Sequence, residues 1–359
     1  MPLIAHTKLP SFDRIRREGR EVLSAQRAQS QDIRELHIGI LNMMPDAALQ
    51  ATERQFLRLL DSCNRVVQIY AHLFTMPGIE RQGAALEHVH EYYESFEDIQ
   101  RDGLDALIIT GANPVCPDIR DEPYWSDLLE VMDWANDNVT STLCSCLSSH
   151  ARIAHTFGVD RVPLSMKQWG VYSHRVVDRE HPLTATLNTR FDAPHSRWNN
   201  VPRAALESVG IKVLAESEEA GVHLAVSPDG LRWIFLQGHP EYDVESLPKE
   251  YKREVVRYQD GTNEDYPPYP EHCFTAGILE LLDKHRARAE TARATHSPQP
   301  AFPDAEVESG LENSWTDTGK SLFNNWLGLI YQLTHSERGK PFMDGIDPAD
   351  PLELNRPSG

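Results

Sequence analysis

Residues 140–150 have the sequence Thr140-Ser141-Thr142-Leu143-Cys144-Ser145-Cys146-Leu147-Ser148-Ser149-His150. Residues 140–143 are predicted to form a short strand, and residues 147–157 a helix that Gly158 ends. A turn between a strand and a helix raises a cysteine to the carboxyl edge of a sheet, where the first amides of the helix can lower its pKa and bind an oxyanion. A buried packing cysteine is the alternative. The choice between Cys144 and Cys146 stays open at this point, although Cys146 is nearer the helix.

Apolar runs of strand length flank this stretch and alternate with segments that have helical periodicity. Residues 52–60 and 124–136 are predicted to be amphipathic helices. Strands are predicted at 36–41, 66–70, 104–109, 211–215, 222–226 and 232–236. Strands that alternate with helices are typical of an α/β fold, so the sequence predicts such a fold with a mainly parallel sheet.

A second candidate element, Gln237-Gly238-His239-Pro240-Glu241-Tyr242, directly follows the predicted strand 232–236. A histidine base needs a carboxylate that fixes its tautomer and stabilises the imidazolium once the base has taken a proton. Taken alone, His239 is more typical of a surface turn. Together with the strand-end cysteine upstream, His239 and Glu241 predict a Cys-His-Glu triad.

Glu250 and Arg253 form a third candidate element, on a helix predicted after Pro248. Positions i and i+3 share a helix face, so this carboxylate and guanidinium could meet the ammonium and the carboxylate of an amino acid together. A solvent-exposed ion pair within the helix is the alternative.

Composition excludes several classes of protein. The 359 residues contain 35 Lys and Arg against 54 Asp and Glu, a formal net charge of −19, which argues against nucleic acid binding. No apolar run is long enough to span a membrane, and the N-terminus lacks the pattern of a signal peptide. Five cysteines without scaffold-like spacing fit reduced thiols, and no second Cys or His pair completes a zinc site. We therefore expect a cytoplasmic protein without a metal.

The length allows one large domain or two smaller ones. Residues 1–283 are predicted to form the main domain. Residues 284–312 are rich in Ala, Arg, Ser, Pro and acidic residues and predict a mobile linker or insert. Residues 313–335 predict a C-terminal helix that docks on the domain, and residues 336–359 predict a flexible tail.

Several longer motifs occur in order along the chain: Leu41-Asn42-Met43-Met44-Pro45, 52–60, 96–99, 107–112, 141–143, Ala193-Pro194-His195-Ser196-Arg197, Gly238-His239-Pro240-Glu241-Tyr242-Asp243 and 322–327. On these motifs the chain resembles the homoserine O-succinyltransferase family of methionine biosynthesis, over about residues 1–270 and 313–335. The resemblance implies a class I glutamine amidotransferase-like (flavodoxin-like, three-layer) fold, an acyltransferase catalytic domain at 1–283, and a homodimer.

The resemblance also implies a role for each matching position. Cys146, rather than Cys144, falls where the family carries its acyl-accepting cysteine, His239 matches the catalytic base, and Glu241 matches the partner of that base. Substrate-binding positions are Lys167, Ser196 and Arg253, with Glu250 where the ammonium of homoserine is expected. The backbone amides of Gly111, Ala112 and Leu147 are the expected oxyanion donors.

The choice of acyl donor depends, within the family, on the loop after Gly111 and Ala112. A carboxylate side chain there favours acetyl, because it fills space and repels a succinyl carboxylate. The deciding position here is Val115, which is neutral but larger than glycine. We therefore predict succinyl-CoA as the donor and L-homoserine as the acceptor, with acetyl-CoA as the alternative donor and no separate cofactor. A succinate carboxylate would need a cation or several hydrogen-bond donors, and Arg120 is the nearest cation in the sequence.

The chain differs from the usual family pattern after Cys146, where Leu147-Ser148-Ser149-His150 replaces a tryptophan and small residues, and at Asn113-Pro114-Val115. A glutaminase would share the Cys-His-Glu triad but would need a glutamine pocket and an ammonia-accepting partner. A binding protein would release neither ammonia from glutamine nor coenzyme A from an acyl donor.

Overall fold

One eleven-stranded sheet runs through the computed structural model, which describes residues 3–30, 33–62 and 67–354. In chain order its strands are β1 Leu3–Ala5, β2 Val22–Ser24, β3 Glu35–Leu41, β4 Gln68–Phe74, β5 Ala106–Ile109, β6 Ser141–Ser145, β7 Val162–Val176, β8 Arg190–Asn200, β9 Lys212–Ser217, β10 Gly221–Val226 and β11 Trp233–Leu236. Their order across the sheet is β2-β1-β4-β3-β5-β6-β11-β10-β9-β7-β8.

The helices of the described residues are α1 Pro10–Arg17, α2 Ala25–Gln29, α3 Leu49–Asp61, α4 Gly83–Tyr92, α5 Phe96–Asp102, α6 Trp125–Asn138, α7 Leu147–Phe157, α8 Arg203–Ser208, α9 Ser246–Gln259, α10 Ala276–Ala294, α11 Asp304–Ser309 and α12 Thr316–Leu333. Short 3-10 turns lie at Ile119–Asp121 and Pro182–Thr184. None of these helices combines the length and the apolar character that crossing a membrane requires.

The half of the sheet from β2 to β11 is parallel. Parallel neighbours need crossover connections, and helices such as α3, α6 and α7 supply them. The predicted α/β fold with a mainly parallel sheet is therefore confirmed. The predicted strand 66–70 corresponds to β4, although Val66 lies outside the described residues.

The other half, from β11 through β10 and β9 to β7 and β8, is antiparallel. Alternation of strands and helices does not predict this half, because β9 and β10 are joined by only residues 218–220, which is too short for a crossover helix. The long hairpin of β7 and β8 also lacks a clear apolar alternation. The sheet is thus parallel where it carries the cysteine turn and antiparallel beside it.

Apolar side chains pack on both faces of the sheet and form two core clusters. In β5, Ile108 lies in the cluster that also holds residues of α3 and α12, whereas Ile109 lies in the cluster formed with α6 and α7. Successive strand residues point to opposite faces, which explains the split. Each such buried side chain contributes about 1.5–3 kcal/mol, so both helix layers are held tightly against the sheet.

The predicted linker or insert 284–312 contains secondary structure. Helix α10 continues to Ala294, and α11 occupies Asp304–Ser309. Buried His285, Ala289 and Val307 pack these helices onto the domain. The Ala- and Arg-rich composition suggested a linker, but both residues are strong helix formers, and alanines can line a buried helix face. Mobility of the segment stays a prediction.

Helix α12 lies within the predicted docking segment 313–335. Phe323 and Trp326 belong to the core cluster around α3, and the Trp326 indole donates a 2.9 Å hydrogen bond to Ser141 Oγ at the start of β6. In the predicted tail, Met343 N donates to Leu333 O at 3.0 Å and Leu352 packs against the same cluster. Residues 355–359 lie outside the described residues, and flexibility of the tail stays a prediction.

Candidate active site

Cys146 occupies the turn between β6 and α7, at the carboxyl edge of the parallel half. Its backbone has φ 54° and ψ −110°, a conformation that non-glycine residues rarely adopt. The surrounding structure holds it there: Cys146 N donates to Leu236 O at 2.6 Å, and Cys146 O accepts from Ser149 N at 3.0 Å. The strained turn exposes part of the thiol at the edge of the sheet.

Cys144 has a different environment, although it is only two residues away. It is fully buried inside β6, in the core cluster beneath α6 and α7, and burial raises the pKa of its thiol to about 12. Such a thiol stays protonated and has no access to solvent. Of the two cysteines that the residues alone left open, only Cys146 can meet a ligand.

His239 and Glu241 lie beside Cys146 because β6 and β11 are parallel neighbours. The register pairs Leu236 with Ser145, so the residues after β11 extend past the sheet edge next to the cysteine turn. His239 Nδ1 lies 2.7 Å from Glu241 Oε1, and the Cys146 side chain is near enough to the same imidazole to help raise its pKa. The three predicted triad residues therefore lie together.

Electrostatics in this buried group favour the imidazolium form. Burial by itself would lower the pKa of His239, but the Glu241 carboxylate and the Cys146 side chain outweigh it and raise this pKa to about 10. Ser145 Oγ also donates to Glu241 Oε1 at 3.4 Å. At neutral pH the arrangement can therefore keep a proton on His239 beside the sulfur atom.

A second polar cluster surrounds Glu250 on α9. The carboxylate accepts from Ser196 Oγ at 2.7 Å, from Lys167 Nζ at 3.0 Å and from Tyr242 OH at 3.0 Å. Burial would raise the pKa of Glu250, but Lys167 and Ser196 lower it below its ordinary value. The cluster thus holds an ionised carboxylate inside the protein, with donors from β7, β8 and the loop after β11.

Tyr242 links the two clusters. Its ring stacks on the His239 imidazole with centroids 4.3 Å apart and an interplanar angle of 16°, while its hydroxyl binds Glu250. Tyr242 therefore connects the Glu250 carboxylate to the His239 imidazole through one hydrogen bond and one ring stack. Tyr242 stands three residues after His239 in the same motif, but its residue type alone does not predict a role in the triad.

Both clusters line one large cavity of about 1260 Å³. Its lining includes most of the predicted site residues, namely Gly111, Ala112, Cys146, Leu147, Lys167, Ser196, His239, Glu250 and Arg253. The volume is generous for a ligand the size of an amino acid and leaves room for a much larger second one.

The predicted oxyanion donors are well situated. Leu147 is the first residue of α7, so its N–H has no acceptor within the helix. Gly111 lies against the cysteine turn: a Cβ at this position would be 3.5 Å from Cys146 Cβ. Gly111, Ala112 and Leu147 therefore line the cavity next to Cys146.

Comparison with known proteins places this geometry in a family. The sequence model described as "Homoserine O-succinyltransferase" matches residues 2–336. The chain belongs to the homoserine O-succinyltransferase family. Proteins of that name from Methylobacter tundripaludum and Methylococcus capsulatus are 55% and 56% identical to it, each over 99% of this chain and 100% of their own length. The one from Thiothrix nivea is 55% identical over 100% of both chains.

Among solved structures, a glutamine amido transferase from Methylobacillus flagellatus is 12% identical to the chain, with a TM-score of 0.45. The likeness covers 83% of this chain and 95% of the other.

Glu250 and Arg253, which are predicted to meet the two ends of an amino acid, have different partners in the structure, and the alternative of an ion pair between them is not observed. Glu250 and Arg253 both line the cavity, but Glu250 binds Lys167, whereas Arg253 lies 3.4 Å from Glu254. The intrahelical Glu250–Arg253 ion pair is therefore not formed, and Arg253 remains half exposed at the cavity wall. One reason is that Ser196, Lys167 and Tyr242 already surround the Glu250 carboxylate.

Val115 does not lie in the cavity lining, although the sequence predicted that it decides the acyl donor. Its side chain is 79% exposed, and its N–H donates to Glu122 Oε1 at 2.8 Å. Glu122 also accepts from Cys116 N at 2.7 Å, so a buried carboxylate beneath the loop fixes this part of the backbone. Asn113 and Pro114 face the cavity instead.

Buried imidazoles lie behind the site, and sequence reasoning missed them. The ring nitrogens of His174, His195 and His223 are close enough to share a metal ion. His195, however, accepts from Arg197 Nε at 3.2 Å and lies 3.0 Å from His174 Nε2, and His174 Nδ1 donates to Tyr172 O at 2.8 Å. These hydrogen bonds occupy both ring nitrogens of His195, so a metal ion at this site would have to displace a proton from the His195 ring.

The group of His6, His72 and Glu94, on the far side of the parallel half, is a second set of possible metal ligands. There His72 Nδ1 already lies 2.8 Å from Glu94 Oε1 as an ion pair.

Proposed function

We propose that the chain transfers the succinyl group of succinyl-CoA to the hydroxyl of L-homoserine, giving O-succinyl-L-homoserine and coenzyme A in methionine biosynthesis. The observation that carries the proposal is the Cys146–His239–Glu241 group at the wall of a cavity, in a chain of this family. The cavity is large enough for a coenzyme A thioester beside an amino acid.

In the first half-reaction, the Cys146 sulfur attacks the thioester carbonyl of the donor. The thiol proton of Cys146 is held by His239, whose imidazolium is stabilised by Glu241. The amides of Leu147 and of Gly111 or Ala112 bind the oxyanion of the tetrahedral intermediate. The bond to the coenzyme A sulfur then breaks, and the departing thiolate takes the proton from His239. One thioester replaces another, so the acyl group stays activated.

In the second half-reaction, His239 accepts the proton of the homoserine hydroxyl as its oxygen attacks the Cys146 thioester. The ester forms, the Cys146 sulfur leaves, and the proton on His239 restores the starting pair. The ionised Glu250 carboxylate is suited to the homoserine ammonium, and Arg253 to the homoserine carboxylate. Lys167 and Ser196 hold Glu250 in place. Two half-reactions on one sulfur predict ping-pong kinetics.

From the family we further propose a homodimer in the cytoplasm that needs no cofactor beyond its coenzyme A thioester substrate.

The test is a coenzyme A release assay on the purified chain with homoserine and either succinyl-CoA or acetyl-CoA, beside an ammonia release assay with glutamine. We expect homoserine-dependent release with succinyl-CoA as the better donor. A clear preference for acetyl-CoA would overturn the donor assignment alone. Ammonia release without any coenzyme A release would instead make the chain a glutaminase.

A further inference from the structure

A succinyl donor brings a second carboxylate into the cavity, and burying it demands a cation or several hydrogen-bond donors. Arg120, the cation nearest to Val115 in the sequence, cannot serve. Its guanidinium lies 3.3 Å from Asp118 and 2.5 Å from Asp160, on the exposed surface, and it does not line the cavity. Another residue must receive the carboxylate.

Arg161 has the properties that Arg120 lacks. It lies at the start of the segment that leads into β7, is half-buried, and lines the cavity together with Asn113 and Pro114. Its Nη2 donates a 3.1 Å hydrogen bond to Pro117 O. Arg161 is thus attached to the 111–117 loop on which donor choice depends within the family.

The charge of Arg161 is not neutralised by an ion pair. Within residues 3–30, 33–62 and 67–354, no carboxylate oxygen lies within 4 Å of its guanidinium, and the neighbouring Asp160 pairs with Arg120 instead. Asp118 is near enough for Arg161 to help lower its pKa, but its direct ion pair is with Arg120. A half-buried cation at a cavity wall without a direct ion pair is suited to a bound anion. The other guanidinium hydrogens remain available for a carboxylate.

Arg161 also lies on the side of the cavity where the acyl group must be. His150 is one helical turn after Cys146, lines the cavity, and has its N–H directed at Cys146 O. The pKa of His150 is lowered to about 3, mainly by burial and in part by the positive charges of Arg197 and Arg161. Arg161 is therefore within electrostatic reach of a residue that flanks the sulfur.

The other cations of the cavity wall are less suited to this task. Lys167 binds Glu250, and Arg58 binds Glu18 and Asp243. Arg197 directs its guanidinium hydrogens at backbone and side-chain acceptors, among them Asn199 O. Arg54, flanked by Arg14 and Arg58, lies on α3, on a different element from the donor loop.

We propose that Arg161 binds the distal carboxylate of the succinyl group and thereby selects succinyl-CoA over donors that lack it. The inference rests on the proposed function, since it assigns a specificity residue for that acyl donor. Glu122 supports the arrangement from below the loop, because it fixes the amides of Val115 and Cys116 and so positions the segment that Arg161 contacts.

Coenzyme A itself carries phosphates, which are a second possible source of an anion at Arg161. The two sources are separable, because succinyl-CoA, butyryl-CoA and acetyl-CoA share the same phosphates. Butyryl-CoA matches the acyl chain of succinyl-CoA in length but ends in a methyl group. A residue that binds phosphate affects all three donors equally, whereas one that binds the acyl carboxylate affects succinyl-CoA alone.

The experiment compares Arg161→Gln, Arg161→Lys and the control Arg101→Gln with the unchanged chain, as kcat/KM for each donor at saturating homoserine. Arg101 pairs with Asp98 and Asp102 on the exposed surface and does not line the cavity. For Arg161→Gln we expect a loss of about 10- to 100-fold with succinyl-CoA, the value of a charge-assisted hydrogen bond, and less than about threefold change with acetyl-CoA. Butyryl-CoA should follow acetyl-CoA. Arg161→Lys should recover part of the loss, and Arg101→Gln should change nothing.

Unchanged use of acetyl-CoA also shows that the variant is folded. An equal loss with all three donors would assign Arg161 to the phosphates and overturn the proposal, as would an unchanged preference for succinyl-CoA in Arg161→Gln. If the unchanged chain used none of the donors, the proposed function itself would fall. If Arg161→Gln lost all three activities, its thermal unfolding would be measured by circular dichroism. An unchanged melting temperature would assign the loss to phosphate binding. A lowered melting temperature would mean that the variant is unstable, and Arg161→Lys would then be the variant that tests the proposal. A loss in Arg161→Lys that is equal for succinyl-CoA, butyryl-CoA and acetyl-CoA would then overturn the proposal, whereas a loss with succinyl-CoA alone would support it.

Discussion

The two halves of the sheet contribute different parts of the site. The parallel half ends in Cys146, His239 and Glu241, which come from two neighbouring strands and lie together. The antiparallel half and α9 contribute Lys167, Ser196 and Glu250, which bind one another. The first group is suited to bond making and breaking, and the second to holding an amino acid.

This difference suggests how donor and acceptor steps could be separated. Residues at the parallel edge would act in both half-reactions, because the same sulfur and imidazole are used twice. Residues of the antiparallel half and α9 would act only when homoserine is present. Variants in the two regions should therefore differ in which half-reaction they lose.

The largest effect is expected from Cys146→Ser. Removing the sulfur should lower turnover by at least about 10⁴-fold, since the steps that follow depend on it. Cys144→Ser, two residues away but inside the core, should keep most of the activity. Mass spectrometry after incubation with succinyl-CoA alone should find the acyl group on a peptide containing residue 146 in the unchanged chain and in Cys144→Ser. Acylation that survives in Cys146→Ser would contradict the assignment.

Glu241→Gln should also impair both half-reactions, by about 10²–10⁴-fold. The carboxylate raises the pKa of His239 to about 10, so the active pair of sulfur and imidazolium persists up to that pH in the unchanged chain. Without the Glu241 carboxylate, the His239 imidazolium loses its proton at lower pH. The alkaline limb of the kcat/KM profile should therefore move to lower pH by about one unit or more. An alkaline limb that stays in place would show that Glu241 does not control His239.

A variant of α9 should separate the half-reactions. Arg253→Ala is expected to lower kcat/KM for homoserine by about 10- to 100-fold, because a charge-assisted contact with the amino acid carboxylate is lost. Acylation of Cys146 by succinyl-CoA alone, followed by rapid quenching, should keep its rate. Lys252→Ala is the matched control on the same helix, since Lys252 pairs with Asp304 and does not line the cavity. Loss of acylation in Arg253→Ala would place this residue in the donor site.

The smallest effect is expected where the two halves join. A Cβ at Gly238 would lie 2.7 Å from both His195 Nε2 and His223 Nδ1, and the His195 ring is held on both sides by hydrogen bonds. Gly238→Ala should therefore lower the free energy of unfolding by about 1–3 kcal/mol. Gly277→Ala, which meets no atom within 4 Å in helix α10, should be neutral or slightly stabilising. Urea titrations measure the free energy of unfolding of both variants. Equal values for Gly238→Ala and Gly277→Ala would mean that the buried imidazoles shift to accommodate the new methyl group.

The strands from β4 to β11 in the parallel half could be predicted from the sequence because their signals are local. Strands such as β5 and β11 are short apolar runs, and the cysteine turn sits between a strand and a helix that each have a clear pattern. The three-residue strands β1 and β2 at the edge were not predicted, because so short a run carries no clear pattern. In the antiparallel half, β9 and β10 were predicted as strands, but their direction and the hairpin of β7 and β8 were not. β7 begins with mostly exposed residues, and its pairing with β8 shifts register between Pro163 and Gln168, a shift that no local pattern encodes.

The sequence by itself determined the fold class, the strand-end position of the cysteine and, through the family motifs, the candidate residues. Local periodicity and short motifs suffice for these, because each depends on neighbours along the chain. Only the tertiary structure decided that Cys144 is buried while Cys146 meets the cavity, that Glu250 pairs with Lys167 rather than Arg253, and that Val115 points to solvent. The same holds for Arg161, whose lack of a carboxylate partner among the described residues depends on Asp160 being paired with Arg120. Ion pairs and burial depend on groups that are distant in sequence, so only the folded chain could determine them.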